Sequence, residues 1–343
     1  MDSVSLAAWR ALYERAIRIK ELAPWTWMRE DEIFGVEDPD SKTVAYVSIS
    51  GALGEHLAVI AYLGESALHR FLWLQTREGD TSPQDILEMR QIQASFEGRN
   101  FLETPELGII RELGLKFRGS QAWPCFRSTY PGCVPWFLDV DEMRITAHIL
   151  EQTEVVVMRV KDDPSILGRP DDRWHLIRRL DQSAGRSVWV DEKRDMPLPP
   201  ALEIPARLTQ GMIAGLLRHP QTKDVIEVDL VMMTSTPVHA KNERPYFAYM
   251  LLLVDGGSGT ILSMDMLSPL PALEQMWGEV IPLIVTRLTE IGFIPGAIKV
   301  RRDVMEFLVR NLAEHVPMRV RRVQGLPKLE NVVRHLQSYM GNE

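Results

Sequence analysis

Trp9, Leu12, Tyr13, Ala16 and Ile17 recur at three- and four-residue spacing, the stripe of a helix that buries one side, and Pro24 ends it. The period then shortens. Apolar runs at 32–37, 43–49 and 56–63 read as strands, separated by DPDSK and by Gly51 to Glu55. Those separators have hairpin chemistry, so an antiparallel meander is expected. A short helix over 65–75 follows, then a strand over 86–97. Thr104-Pro105-Glu106 opens a helix with Thr104 as cap and proline at the first helical position, and Gly114 closes it. Another helix is expected from about 141 to 155, leading into the apolar EVVVMRV. Strands at 173–180 and 186–192 flank the turn DQSAG.

The pattern breaks at MPLPPALEIP, residues 196–205, where four prolines in ten residues forbid regular helix or strand. A helix over about 204–218 leads out of it. Beyond lie strands at 225–233, 246–254 and 260–267, a helix over 271–291, a strand at 297–302, a helix over 303–315, a strand at 318–323 and a helix over 326–340. Three strands joined by short turns, then alternating helix and strand, predict a mixed sheet flanked by helices. The expected fold class is therefore α+β in two domains: 1–195, a proline-rich linker and connecting helix over 196–221, and 222–343. A chain of 343 residues exceeds the usual reach of one core, which agrees with two domains.

Composition adds exclusions. The chain is 45% hydrophobic and 25% charged, with a formal charge of −8, which argues against a general nucleic-acid coat protein. Its two cysteines, Cys125 and Cys133, make no disulfide framework and are expected as free, packed thiols in a reducing cytoplasm. The N-terminal stretch carries charges throughout and lacks the features of a signal peptide, and no run approaches the roughly 20 apolar residues of a membrane span. No repeat of fixed period is present.

Within the last 120 or so residues, VIEVDLVMM, YMLLLVDGGSGTIL, GFIPGAIKV and the position of Glu330 together resemble the ribonuclease H-like or integrase core. The resemblance implies a first strand carrying Asp229, a neighbouring strand at 297–302 and an acid at Glu330 on the last helix. In the N-terminal half, WxxLYExA near residue 9, the LGE of Leu53 to Glu55, and FRGSQAWPCFRSTYPGCVPWFLD resemble an uncharacterised bacterial two-domain family of unknown function. That resemblance implies no activity.

The ribonuclease H-like resemblance implies two-metal phosphoryl chemistry, in which carboxylates hold two Mg or Mn ions about 4 Å apart. Asp229, Asp303 and Glu330 are the candidate catalytic acids, with Glu274 or Glu279 as helpers. The slot for the second strand acid, counted from Pro295, instead holds Arg301, and Asp303 comes two residues late. Strand alternation puts Glu227 and Asp229 on one face, and Lys299 and Arg301 on one face of their own strand. Beside each other, these form a charge ladder that satisfies the acids without metal. No cofactor is expected unless the nuclease alternative holds.

Lys299, Arg301, Arg319 and Arg321 would also suit a phosphate or an acidic partner, although local pairing with acids is the favoured reading. Trp123, Arg127, Tyr130 and Trp136 lie among prolines in 121–139 and would make a recognition loop, against the favoured reading of a rigid cover over the core. Other signals are empty: Asp255 to Gly259 is a hairpin turn, the eight histidines show no metal-binding pair, His148 is an ordinary helix histidine, and Glu55-His56 is an edge feature. The function expected is non-catalytic binding or interaction, with a divalent-metal nuclease or related phosphoryl-transfer enzyme as alternative. The partner, protein or otherwise anionic, is not identified by the sequence.

Overall fold

The structure, a computed structural model, describes residues 6–76, 82–168, 172–183, 186–205, 207–239 and 243–340. The chain divides into two compact units, Met1–Tyr130 with Pro135–Pro200, and Pro131–Val134 with Ala201–Glu343. Both mix helices with a sheet of mixed strand direction, as the apolar patterning requires. Among the described residues no helix is long and apolar enough to cross a membrane.

Unit 1 runs α1 (Leu6–Leu22), β1 (Phe34–Glu37), β2 (Val44–Ser50), β3 (Ala58–Leu63), α2 (Glu65–Gln75), α3 (Pro83–Leu87), β4 (Gln91–Glu97), α4 (Thr104–Glu112), β5 (Trp123–Thr129), α5 (Val140–Asp162), β6 (Trp174–Asp181) and β7 (Val188–Asp195). The expected antiparallel meander of β1, β2 and β3 continues through β4 and β5, the last a strand that the sequence reading did not expect. After the α5 crossover, β6 joins β1 in parallel and β7 completes the order β5-β4-β3-β2-β1-β6-β7. Apolar side chains of α1 and α5 cover one face of this sheet, with Leu12, Tyr13, Ile19, Leu150 and Val157 almost wholly buried. The other face of its centre is covered by Ala67, Leu68 and Phe71 of α2 against Val44, Tyr46 and Tyr62. Such two-sided burial explains why β2 reads as a continuous apolar run.

Four boundaries differ from the sequence expectation. Residues 83–87 are helical because Ser82 and Asp85 form a capping box with Pro83 at the first turn, so the strand starts only at Gln91. The α4 helix is capped from Glu103, whose N–H donates to Glu106 at 2.9 Å, leaving Thr104 inside the first turn. EVVVMRV continues α5 to Asp162, since Val156, Val157 and Val160 fall on its buried stripe and no breaker precedes Pro164. The helix expected over 204–218 is confined to Gln210–Leu216, where the Thr209 hydroxyl accepts from the Met212 N–H. Ala184 and Gly185 of the expected DQSAG turn lie outside the described residues.

Unit 2 adds α6 (Gln210–Leu216), β8 (Val225–Val238), β9 (Tyr246–Asp255), β10 (Ile261–Leu267), α7 (Leu273–Ile291), β11 (Ala297–Val300), α8 (Asp303–Ala313), β12 (Arg319–Arg322) and α9 (Pro327–Met340). Its sheet order is β10-β9-β8-β11-β12, with β8, β9 and β10 antiparallel and β11 parallel to both β8 and β12. The Pro131–Val134 stretch joins this unit through an antiparallel bridge from Cys133 to Tyr246. Cys125 and Cys133 are buried and form no disulfide. Asp265 of β10 is held by Arg287 of α7, which places α7 against one face. Leu326 and Leu329 pack on Met250, Leu252 and Val254, so α9 covers the other.

Candidate functional site

The α9 face of unit 2 carries the charges singled out in the sequence. In the parallel register Lys299 stands beside Glu227, and Arg321 beside Lys299. Glu227 and Asp229 are each 1% exposed, at the centre of the sheet. Charges so buried need partners, since desolvation costs several kcal/mol per ion.

Glu227 finds them in the backbone of α9. Its Oε2 accepts the N–H groups of Lys328 and Leu329, both at 3.0 Å. These are among the first N–H groups of a helix, which have no partner within the helix, and the carboxylate also meets the positive end of the helix dipole. Asp229 accepts the Leu230 N–H at 2.9 Å and lies 3.3 Å from the Arg301 guanidinium. The other edge of Arg301 lies 3.7 Å from Glu330, whose carboxylate also takes the Leu326 N–H at 3.0 Å. Arg301 therefore sits between the two acids that a metal site would bring together.

Asp303 does not join them. It pairs with Arg322, which also approaches Glu306. Because α7 packs against the opposite face, Glu274 and Glu279 are kept off the Asp229 side, and Glu279 is bound to Arg207 at 2.7 Å. Among the described residues no group of three or more His, Cys, Asp or Glu is placed to hold a metal ion.

Of the four cations in the expected ladder, only Arg301 has its acids. Lys299, Arg319 and Arg321 have no carboxylate within 4 Å among the described residues. Arg319 and Arg321 are exposed on the edge strand, and Lys299 is half-buried beside them. Arg319 also lines, with Lys223 and Gly296, an open groove of about 780 Å³ at the start of the parallel strands. The contribution of Glu227 was missed in the sequence because its partners lie 101 and 102 residues away.

The 121–139 segment is arranged differently from a free recognition loop. Trp123 and Trp136 are half-buried, Trp123 packing on Phe117 and Trp136 on Phe137. Arg127 binds Glu106 through both guanidinium edges at 2.6 and 2.9 Å. Tyr130, 40% exposed, receives the Arg90 guanidinium 3.8 Å from its ring centre. All four candidate residues thus have partners within unit 1.

Half-buried His148 and buried His175 make unit 1 sensitive to acid. Among the described residues, His148 Nδ1 and His175 Nε2 have no hydrogen-bond partner. Burial lowers both pKa values from the ordinary 6.5, helped by Arg144 at His148 and by His69 at His175. A depressed folded-state pKa means the unfolded chain binds the extra protons first, so the stabilisation is full above 6.5 and is lost as pH falls below it. Urea unfolding at pH 7.5 and 5.5 should show a loss on the order of 1 kcal/mol, and His175→Phe should reduce that loss. An unchanged pH dependence in that variant would remove His175 from the account.

Residues 9–178 match a family model described as Domain of unknown function (DUF7309), and residues 212–337 match one described as Domain of unknown function (DUF6930). Among curated proteins, none matches. Two family models of unknown function thus match most of the chain, and neither brings an activity.

Proposed function

We propose that unit 2 is a ribonuclease H-like domain whose acidic site has been converted to ion pairing, and that the protein acts by non-catalytic binding of an acidic protein partner. The resemblance implies that the first strand lies beside strand 297–302, and the parallel pairing of β8 with β11 supports it. The conversion rests on Arg301, which stands 3.3 Å from Asp229 and 3.7 Å from Glu330. A fixed guanidinium repels a divalent ion electrostatically and supplies the carboxylates with the positive charge a metal would bring.

The observation that carries the binding reading is the unpaired trio Lys299, Arg319 and Arg321. In a chain with 47 acidic and 39 basic residues, carboxylates are in excess, yet three neighbouring cations on one sheet edge lack one within 4 Å. Cations left free to face outward attract a negative surface and accelerate its encounter. The net charge of −8 opposes every anionic partner, and opposes a short acidic protein segment less than a nucleic acid, the longer polymer with more charge.

The test is fluorescence anisotropy with a labelled oligoglutamate peptide at low and physiological salt. Combined Lys299→Ala, Arg319→Ala and Arg321→Ala substitution should weaken binding by about tenfold or more and flatten the salt dependence. Equal affinity in the triple variant would sink the basic-edge reading. Preference for single-stranded DNA of the same charge would sink the acidic-protein assignment. Manganese-dependent cleavage of nucleic acid by the unaltered chain, lost in Asp229→Asn, would establish the enzyme alternative instead.

A further inference from the structure

A separate cavity lies in unit 1, on the α2 face of the sheet. It has a volume of about 390 Å³ and is lined by Lys42, Thr43, Tyr46, Glu65, Ser66 and Arg194, among others. We propose that it is a binding site for the phosphate group of a small ligand.

The first component is the start of α2, an 11-residue helix. Its N-cap is Gly64, which has no side chain to accept a hydrogen bond. The Leu68 N–H returns to Gly64, while no acceptor is found for the preceding N–H groups of Glu65, Ser66 and Ala67 among the described residues. Free N–H groups at the positive end of a helix dipole favour an oxyanion.

The second component is independent of the helix. Tyr46, on β2, is only 3% exposed, and its hydroxyl has no hydrogen-bond partner among the described residues. It lies within the electrostatic reach of Glu65 and Arg194, both of which line the cavity. A hydroxyl without a protein partner at the cavity wall is free to donate to a ligand oxygen. Burial, more than the nearby Glu65, also pushes this phenol up to about 12, so it stays a donor at neutral pH.

The third component is Lys42. It ends the DPDSK turn with φ of 61°, the left-handed region where hairpin turns of this kind favour glycine. A lysine there is disfavoured relative to glycine, and Lys42 lines the cavity. Arg194 is already taken by Glu37 at 2.8 Å and Glu192 at 2.9 Å, which leaves Lys42 as the cation available to a ligand.

Together the three N–H groups, the Tyr46, Ser66 and Thr43 hydroxyls and the Lys42 ammonium offer more donors than a carboxylate has lone pairs directed outward. A phosphate, with its larger number of terminal oxygens, uses them better. Glu65 at the rim opposes a doubly charged ligand, so singly charged phosphate is preferred.

Inorganic phosphate is the probe. The full chain is titrated at constant ionic strength against chloride, with binding read by ³¹P NMR line broadening and by the thermal midpoint. A saturable phosphate effect is expected, with acetate giving a much weaker one. Tyr46→Phe should lower the phosphate affinity about tenfold while leaving the ligand-free thermal midpoint unchanged or higher, since it removes an unpartnered hydroxyl. Lys42→Gly should do the same while raising the ligand-free midpoint, and Glu65→Gln should tighten phosphate severalfold. No saturable effect in the unaltered chain, equal affinity in Tyr46→Phe, or acetate binding as well as phosphate would each overturn the assignment.

Discussion

Glu142→Ala is expected to destabilise unit 1 by about 3 kcal/mol, because it strands a half-buried arginine and removes half of a capping box at once. Glu142 is 3% exposed. Its Oε1 lies 2.7 Å from Arg90 and 2.5 Å from the Ser128 hydroxyl, and its Oε2 takes the Asp139 N–H at 3.0 Å. The Asp139 side chain returns the bond to the Glu142 N–H, closing the box that starts α5. Arg90 would keep the Tyr130 ring and the Thr129 carbonyl, which are weaker partners than a carboxylate.

Chemical denaturation followed by tryptophan fluorescence suits the measurement, because eight of the nine tryptophans (all but Trp277) belong to unit 1. A loss under about 1 kcal/mol would show that the network is not held as described. Glu142→Gln retains the size and one acceptor, and should lose less.

The second large effect is expected at Glu227. Glu227→Ala removes the acceptor of two α9 N–H groups and leaves a hole beneath the helix, at a cost of about 2–4 kcal/mol to unit 2. Glu227→Gln keeps an acceptor oxygen but loses the charge–dipole attraction, so about 1 kcal/mol is expected. Thermal unfolding by circular dichroism gives the loss, and limited proteolysis shows whether α9 comes off first. A variant as stable as the parent would mean that Leu326 and Leu329 hold the helix without the carboxylate.

Unit 2 was the more legible part of the sequence. Its strands and helices are bounded by strong breakers, DGGSG between β9 and β10 and Gly292 after α7, so pattern alone located every element. The Arg301–Asp229 pair followed from strand alternation once β8 and β11 were taken as neighbours. Pattern was less informative where packing decides. A run of valines in α5 has weak helix preference, yet burial of Val156, Val157 and Val160 keeps it helical. Among the described residues, Arg319 and Arg321 find no acid because β12 is an edge strand with no acidic strand beyond it, and Lys299 finds none because Glu227 beside it turns to the α9 N–H groups.

The unit 1 cavity was not legible at all. Lys42, Tyr46, Ser66 and Arg194 come from separate elements, and only the sheet order brings them together. The one local hint was a lysine in a turn position that usually holds glycine. The aromatic-proline segment left two readings open, a cover and a recognition loop, with the cover favoured. Its composition suits a contact surface, but β5 pairs with β4 and its arginine is claimed by Glu106.

The bond from Glu227 to α9 also predicts where unit 2 opens first. Helix ends ordinarily fray, and their amide hydrogens exchange with solvent within local fluctuations. Here the acceptor at the start of α9 is a side chain from the middle of the sheet, 1% exposed. The Lys328 and Leu329 amides should therefore exchange with deuterium as slowly as the strand amides of β8. The first turn of α9 becomes a reporter of whole-unit unfolding, although it lies at a helix end.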